Sequence, residues 1–116
     1  MSVEQVSLNI KRGDTWSRSL YFEYEDGSPI DITGWTIRFT VKEKLSDNDE
    51  DAKIKKIITS HTDPTNGESE ISLTIINTNQ TIDSYLFDIQ VTTDGGEVYT
   101  IVEGLINISD DISKSS

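Results

Sequence analysis

The stretch Asp31-Ile32-Thr33-Gly34-Trp35-Thr36-Ile37-Arg38-Phe39-Thr40-Val41-Lys42 carries the plainest structural signal in the chain. Trp35, Ile37, Phe39 and Val41 alternate with polar residues. Side chains two apart fall on one face of a pleated strand. The residue types agree, because Trp, Thr, Ile, Phe and Val fit a half-buried strand. The Asp-Ile-Thr-Gly before them reads as a turn leading into that strand.

The same period extends outward in both directions. Val6, Leu8 and Ile10 alternate near the start. Trp16, Leu20, Phe22 and Tyr24 mark a second segment. Lys53 to Ser60 carries Ile54, Ile57 and Ile58 and reads as an edge strand, its lysines discouraging stray pairing. Ile71, Leu73 and Ile75 mark a fifth segment, and Tyr85, Phe87, Ile89 and Val91 a sixth. Val98 to Ile108 supplies one long or two short final strands, with Gly104 as a bulge or bend. Turn residues separate the segments: Gly13-Asp14, Glu25 to Pro29, Asp63 to Gly67, and the hairpin signal Asp94-Gly95-Gly96. This predicts an all-β chain, an antiparallel β-sandwich or small barrel. The candidates for a short helical turn are Ser46 to Ala52 and Asn77 to Ser84. The 116 residues make one domain's worth of chain, 1–116, with 110–116 as a polar C-terminal extension.

Composition restricts the function. Ten basic residues face 21 acidic ones, a net charge of −11. Nucleic acid and anionic membranes call for clustered Lys and Arg, so neither is an expected partner. A partner with basic patches suits the acidic surface better. The chain has no cysteine, which removes disulfides, thiolate metal sites and Cys nucleophiles. No apolar run approaches a membrane span, and the N-terminus lacks the pattern of a signal peptide. Cytoplasmic synthesis is the expectation.

Candidate chemistry is sparse. Arg12-Gly13-Asp14 matches an adhesion tripeptide, but it is pressed between Ile10 and Trp16, where a tight turn is the better reading. Asp47, Asp49 and Asp51 have calcium-loop spacing. Ala52 stands where that loop needs Gly, and Ile58 where it needs Glu. A charged surface loop is the better reading, with an irregular ion site as the alternative. His61 is the lone histidine, read as a surface residue. Ser60 and Asp63 beside it are too close in sequence for relay geometry. Trp16 and Trp35 fall on the apolar phase and read as core. The strand phase of Tyr21, Tyr24 and Tyr99 is less determined, which makes them candidates for stacking on a sugar. No catalytic residue and no cofactor is expected.

Several pieces taken together resemble a bacteriophage virion module. They are Arg12 to Thr15, Asp26 to Lys42, Asp63 to Leu73, Tyr85 to Thr100 and Gly104 to Asp111. Their succession is similar to the small immunoglobulin-like β-sandwich of phage tail and baseplate proteins, nearest to the N-terminal domain of the baseplate upper protein family. The resemblance implies a single immunoglobulin-like sandwich of about seven strands. It implies a non-enzymatic structural role, docking on other virion proteins as one of several copies in the particle. Family domains usually head a longer fibre, whereas this sequence stops at Ser116, so a separate small protein of the tail, baseplate or neck is expected. A capsid decoration or head-fibre protein is the alternative, and a host-surface carbohydrate-binding module a second one. A small hydrolase using surface carboxylates ranks last. The expected contact residues are Lys53, Lys55 and Ile57 on the edge strand, with Asp110 and Asp111 at the chain end.

Overall fold

The computed structural model describes residues 4–44, 52–80 and 83–109 of the chain. Seven strands run through them: β1 (Glu4–Lys11), β2 (Trp16–Tyr21), β3 (Thr36–Lys42), β4 (Ile54–Ile58), β5 (Glu68–Leu73), β6 (Asp83–Thr92) and β7 (Val98–Ser109). The helical pieces among the described residues are one turn, α1 (Ile75–Thr78), and a 3-10 turn at Pro64–Asn66. No described helix is long and apolar enough to cross a membrane.

The strands form a five-stranded sheet in the order β1-β7-β6-β3-β4 and a two-stranded sheet β2-β5. With β3, β6 and β7 in one layer and β2 and β5 in the other, the topology is that of an immunoglobulin-like sandwich. One pairing departs from the antiparallel expectation. β1 lies parallel to β7, with Glu4 opposite Val102 and Lys11 opposite Ser109. β1 and β2 therefore belong to different sheets, and Arg12-Gly13-Asp14 carries the chain between them. The tripeptide is a turn, as predicted: the Asp14 N–H donates to Lys11 O at 3.2 Å and Gly13 sits at φ +82°. Arg12 is tied down, its Nε donating to Asn79 Oδ1 at 3.1 Å and its backbone N–H to Ser109 O at 2.8 Å.

The core follows from the alternation. Ile37, Phe39 and Val41 are fully buried, paired across β3 and β6 with Val91, Ile89 and Phe87. Trp16 of β2 stacks on Phe39 with ring centroids 6.1 Å apart, and Phe39 meets Phe87 at 5.8 Å. This row of rings links the two sheets. Trp35 packs edge-on against Phe22 at 5.6 Å. Both tryptophans thus pack where their strand phase predicts. Burying one such side chain contributes about 1.5–3 kcal/mol.

The turn into β3 works as its residues imply. The Asp31 carboxylate accepts from the Thr33 N–H at 3.0 Å and the Thr33 hydroxyl at 2.6 Å. The hydroxyl bond first, then the amide, holds that carboxyl below its ordinary pKa of 3.8. The Trp35 N–H closes the turn on Ile32 O at 3.0 Å, with Gly34 at φ +82°.

Three local expectations need correction. Gly104 is not the bulge. The register of β6 against β7 shifts between Ile89 and Gln90, leaving Ile101 as the extra residue. Gly104 is instead the point of closest approach of β1, where a Cβ would overlap the Val6 carbonyl. Ile75 leaves the fifth strand and joins α1, where it is exposed. Thr74 caps that turn by accepting from the Asn77 N–H at 3.3 Å. The helical expectation at 77–84 overlaps α1 only at Asn77 and Thr78, because β6 already begins at Asp83. The one at 46–52 lies outside the described residues apart from Ala52.

Candidate functional site

The two sheets differ in width, and the difference creates the most distinctive surface. β1 pairs with β7 only from Val102 onward. Among the described residues, no strand lies beside Val98–Ile101 on that side, and none beside β2 on the side away from β5. Between these two edges runs an open groove of about 990 Å³. Leu20, Phe22, Trp35 and Val102, all buried, form its apolar lining.

The rim is aromatic and acidic. Tyr21, Tyr24 and Tyr99 line it with 67%, 59% and 37% of their surfaces exposed. These are the three tyrosines singled out in the sequence, and the fold brings them to one groove. Glu23, Glu25 and Glu97 stand among them, against a single guanidinium, that of half-buried Arg18. The bulge explains Tyr99. It pairs with buried Val91, so its side chain is on the inward phase, yet the narrow second sheet stops short of covering it.

Both walls are held in place. On one side Glu23 bridges Pro29, and the Tyr24 N–H donates to Ser28 O at 2.8 Å. At the tip the Asp26 carboxylate accepts from the Ser28 hydroxyl at 2.5 Å and the Ser28 N–H at 2.9 Å, which lowers its pKa. On the other side the hairpin between β6 and β7 closes through Gly96 N–H to Thr93 O at 3.0 Å. Glu97 accepts from the Tyr99 hydroxyl at 3.0 Å and from the Thr93 hydroxyl at 3.4 Å. The bond to Glu97, then its negative charge, raises the Tyr99 pKa. A phenol is neutral at physiological pH even at its ordinary value of 10.0, and the carboxylate reinforces that form.

A second surface is the outward face of the five-stranded sheet. A shallow concavity of about 650 Å³ is lined there by Arg38, Lys42, Lys55, Ile57, Leu86 and Leu105, among others. Two predicted contact residues meet on it: Lys55 pairs with Thr40 and Ile57 with Arg38 across β3 and β4. Ile57 is 55% exposed. Lys53 falls just before β4, with its ammonium 3.7 Å from Glu43. Asp110 and Asp111 lie outside the described residues, as do Asp47, Asp49 and Asp51. Among the described residues, no group of three or more His, Asp or Glu could hold a metal ion.

His61 is not the surface residue expected. It is half-buried, and both ring nitrogens are used. Nε2 lies 2.8 Å from Trp35 O, and Nδ1 lies 2.8 Å from Ser69 Oγ. A carbonyl only accepts, so Nε2 carries the proton. Nδ1 pairs with the Ser69 hydroxyl. Asp63 bonds elsewhere, to Asn66 at 2.7 Å and Thr65 at 3.3 Å. The histidine pins the start of β3 to β5. Nothing local in the sequence shows this, because its partners are 26 and 8 residues away.

No family model matches the chain, and no curated protein does. Among solved structures, one similar chain is a family 123 glycoside hydrolase from Clostridium perfringens, whose structural analysis concerns glycolipid glycan hydrolysis. The identity is 14% and the TM-score 0.41. The match covers 93% of this chain and 23% of that one. A likeness this distant carries no argument about function.

Proposed function

We propose that the protein is a bacteriophage virion component, a small β-sandwich adaptor of the tail, baseplate or neck that works through protein–protein contacts. The phage assignment rests on the succession of sequence motifs. The observation that supports attachment is the set of open strand edges: among the described residues, β1 and β4 end the larger sheet, while β2 and β5 each have a single neighbour. Open edges present unpaired backbone donors and acceptors, which a neighbouring subunit can satisfy by strand addition. The net charge of −11 favours neighbours with basic patches. In this reading the protein is made in the host cytoplasm and is present in several copies per particle. It catalyses nothing.

Mass spectrometry of purified particles tests this. The protein should be present in an amount comparable to other minor structural components, and its absence would sink the reading. Labelling of intact particles separates a tail position from decoration of the head.

Carbohydrate binding at a host surface remains the second reading, favoured by one observation: Tyr21, Tyr24 and Tyr99 share a groove. It calls for hits on a glycan array and a sugar-dependent change in the fluorescence of Trp35 at the groove.

A further inference from the structure

The groove between β2 and β7 has three properties that together select a ligand. One wall is a strand edge. The Phe22 N–H turns toward β5, donating to Gly67 O at 2.8 Å. Strand alternation therefore turns the N–H and C=O of Ser19 and Tyr21 the other way, into the groove. The lining is apolar and large enough to take side chains. The rim sets tyrosine faces beside Glu23, Glu25 and Glu97.

Each property excludes something. Unpaired backbone at the edge favours an extended polypeptide, because only another strand answers a row of alternating donors and acceptors. Carboxylates on the rim disfavour an acidic segment, since like charges brought together repel. Tyrosine faces next to carboxylates favour Lys or Arg, which gain from the ring face and from the countercharge together. The outward face of the larger sheet is mixed in charge, with Arg38, Lys42 and Lys55 set among Asp88 and Glu103. The groove, with three glutamates against Arg18, is the more acidic of the two surfaces.

We infer that the groove receives an extended, basic segment of a partner protein, which adds as a third strand beside β2 and sets its Lys or Arg side chains among the tyrosines and glutamates of the rim. This rests on the reading of the chain as an assembly adaptor and names the place and chemistry of one of its contacts.

The probe is a seven-residue peptide of alternating lysine and valine, titrated into the full chain with amide shifts followed by NMR. Twin peptides carry glutamate or serine in place of lysine. The lysine peptide should bind saturably, moving amides of 17–25 and 97–102. The glutamate peptide should not bind, and the serine peptide should bind about tenfold more weakly, the loss of about 1.4 kcal/mol of charge complementarity. Ser19→Pro removes an edge N–H and should abolish binding while leaving the pairing to β5 in place. Should that variant fail to fold, the double variant Glu23→Gln, Glu25→Gln serves instead, on exposed positions, and should weaken the lysine peptide about tenfold. Equal binding of the lysine and glutamate peptides, no saturable binding, or shifts confined to β4 and the outward face would each overturn the inference. So would shifts in the groove with a panel of neutral oligosaccharides in place of the lysine peptide. Particles that contain the protein alongside a groove that ignores the lysine peptide would refute this contact and leave the adaptor reading standing. Absence from particles would refute the adaptor reading, whatever the peptide does.

Discussion

The inner face of the larger sheet divides into a covered part and an overhanging part, and the two obey different rules. Under β2 and β5 the inward residues Phe39, Ile37 and Ile89 have no exposed surface, and Trp16 reaches across to stack on Phe39. Beyond the edge of β2, an inward residue of the same sheet, Tyr99, keeps 37% of its surface exposed. Both belong to strands of the same alternating character. What separates them is how far the second sheet extends, so packing decides stability in one part and leaves the other available for contact. Truncations should expose this contrast most sharply. Phe39→Ala removes the ring that joins Trp16 to Phe87 and should cost about 3–5 kcal/mol in chemical denaturation. Tyr24→Ala at the groove should fall within about 0.5 kcal/mol of the parent. A comparable loss at Tyr24 would mean that the overhang belongs to the core.

The next contrast concerns β1. This strand pairs with β7 from Val102 to Ser109, and among the described residues nothing pairs with Val98–Ile101 on that side. The close approach at Gly104 makes the pairing possible. Gly104→Ala places a methyl group against the Val6 carbonyl, backbone that cannot move aside without shifting the strand. The expected cost is about 1–3 kcal/mol. Faster hydrogen exchange should follow at Val6 to Ile10, with little change along β3. Unchanged exchange in β1 would show that the strand tolerates a wider spacing and that the groove could extend further down the seam.

The covered part was legible in the sequence and the overhang was not, for a physical reason. Alternation reports which side of a strand is apolar, and Trp35 to Val41 and Tyr85 to Val91 state it without ambiguity. It does not report which strand lies alongside. Gly13-Asp14 suits a hairpin as well as a crossing between sheets, so the parallel pairing of β1 with β7 was invisible. The bulge at Ile101 moves Tyr99 out of phase with its neighbours and hides its inward direction. Tyr21, Tyr24 and Tyr99 were legible as residues with no firm place in the core. Their meeting in one groove depends on the width of the second sheet, a property of pairing over long sequence distances. Glu97 escaped notice altogether, because a lone acid after a glycine turn carries no signal until its partner Tyr99 is positioned.

His61 lies on the covered side of the comparison, although its sequence context suggested exposure. His61→Ala leaves the Ser69 hydroxyl, which is 2% exposed, and the Trp35 carbonyl without their partner. Stranding buried polar groups in this way should cost about 1–3 kcal/mol, read from the denaturation midpoint. The companion change Ser69→Ala should cost less, since an apolar group replaces the hydroxyl. Equal and additive losses would mean that the two side chains do not act as a pair.

The smallest effect separates two tyrosines whose pKa values rise for different reasons. Tyr85 is 2% exposed, and burial comes first among its causes, followed by the charges of Asp83 and Glu43. Tyr99 sits at the groove rim, where its bond to Glu97 comes first. Both are raised from the ordinary value of 10.0, so the folded state holds these protons more tightly than the unfolded chain does. The stability linked to them is complete below pH 10.0 and declines as pH rises through the folded-state values. Glu97→Gln removes the charge and weakens the bond, so Tyr99 should titrate closer to its ordinary value, while Tyr85 stays high because its burial is untouched. Phenolate absorbance during an alkaline titration reads all four tyrosines, and the difference made by Tyr99→Phe assigns the Tyr99 step in parent and variant. If Glu97→Gln left the whole titration curve unmoved, the hydroxyl of Tyr99 would already be free of Glu97 in solution. The acidic rim would then carry one more unengaged carboxylate with which to meet a basic partner.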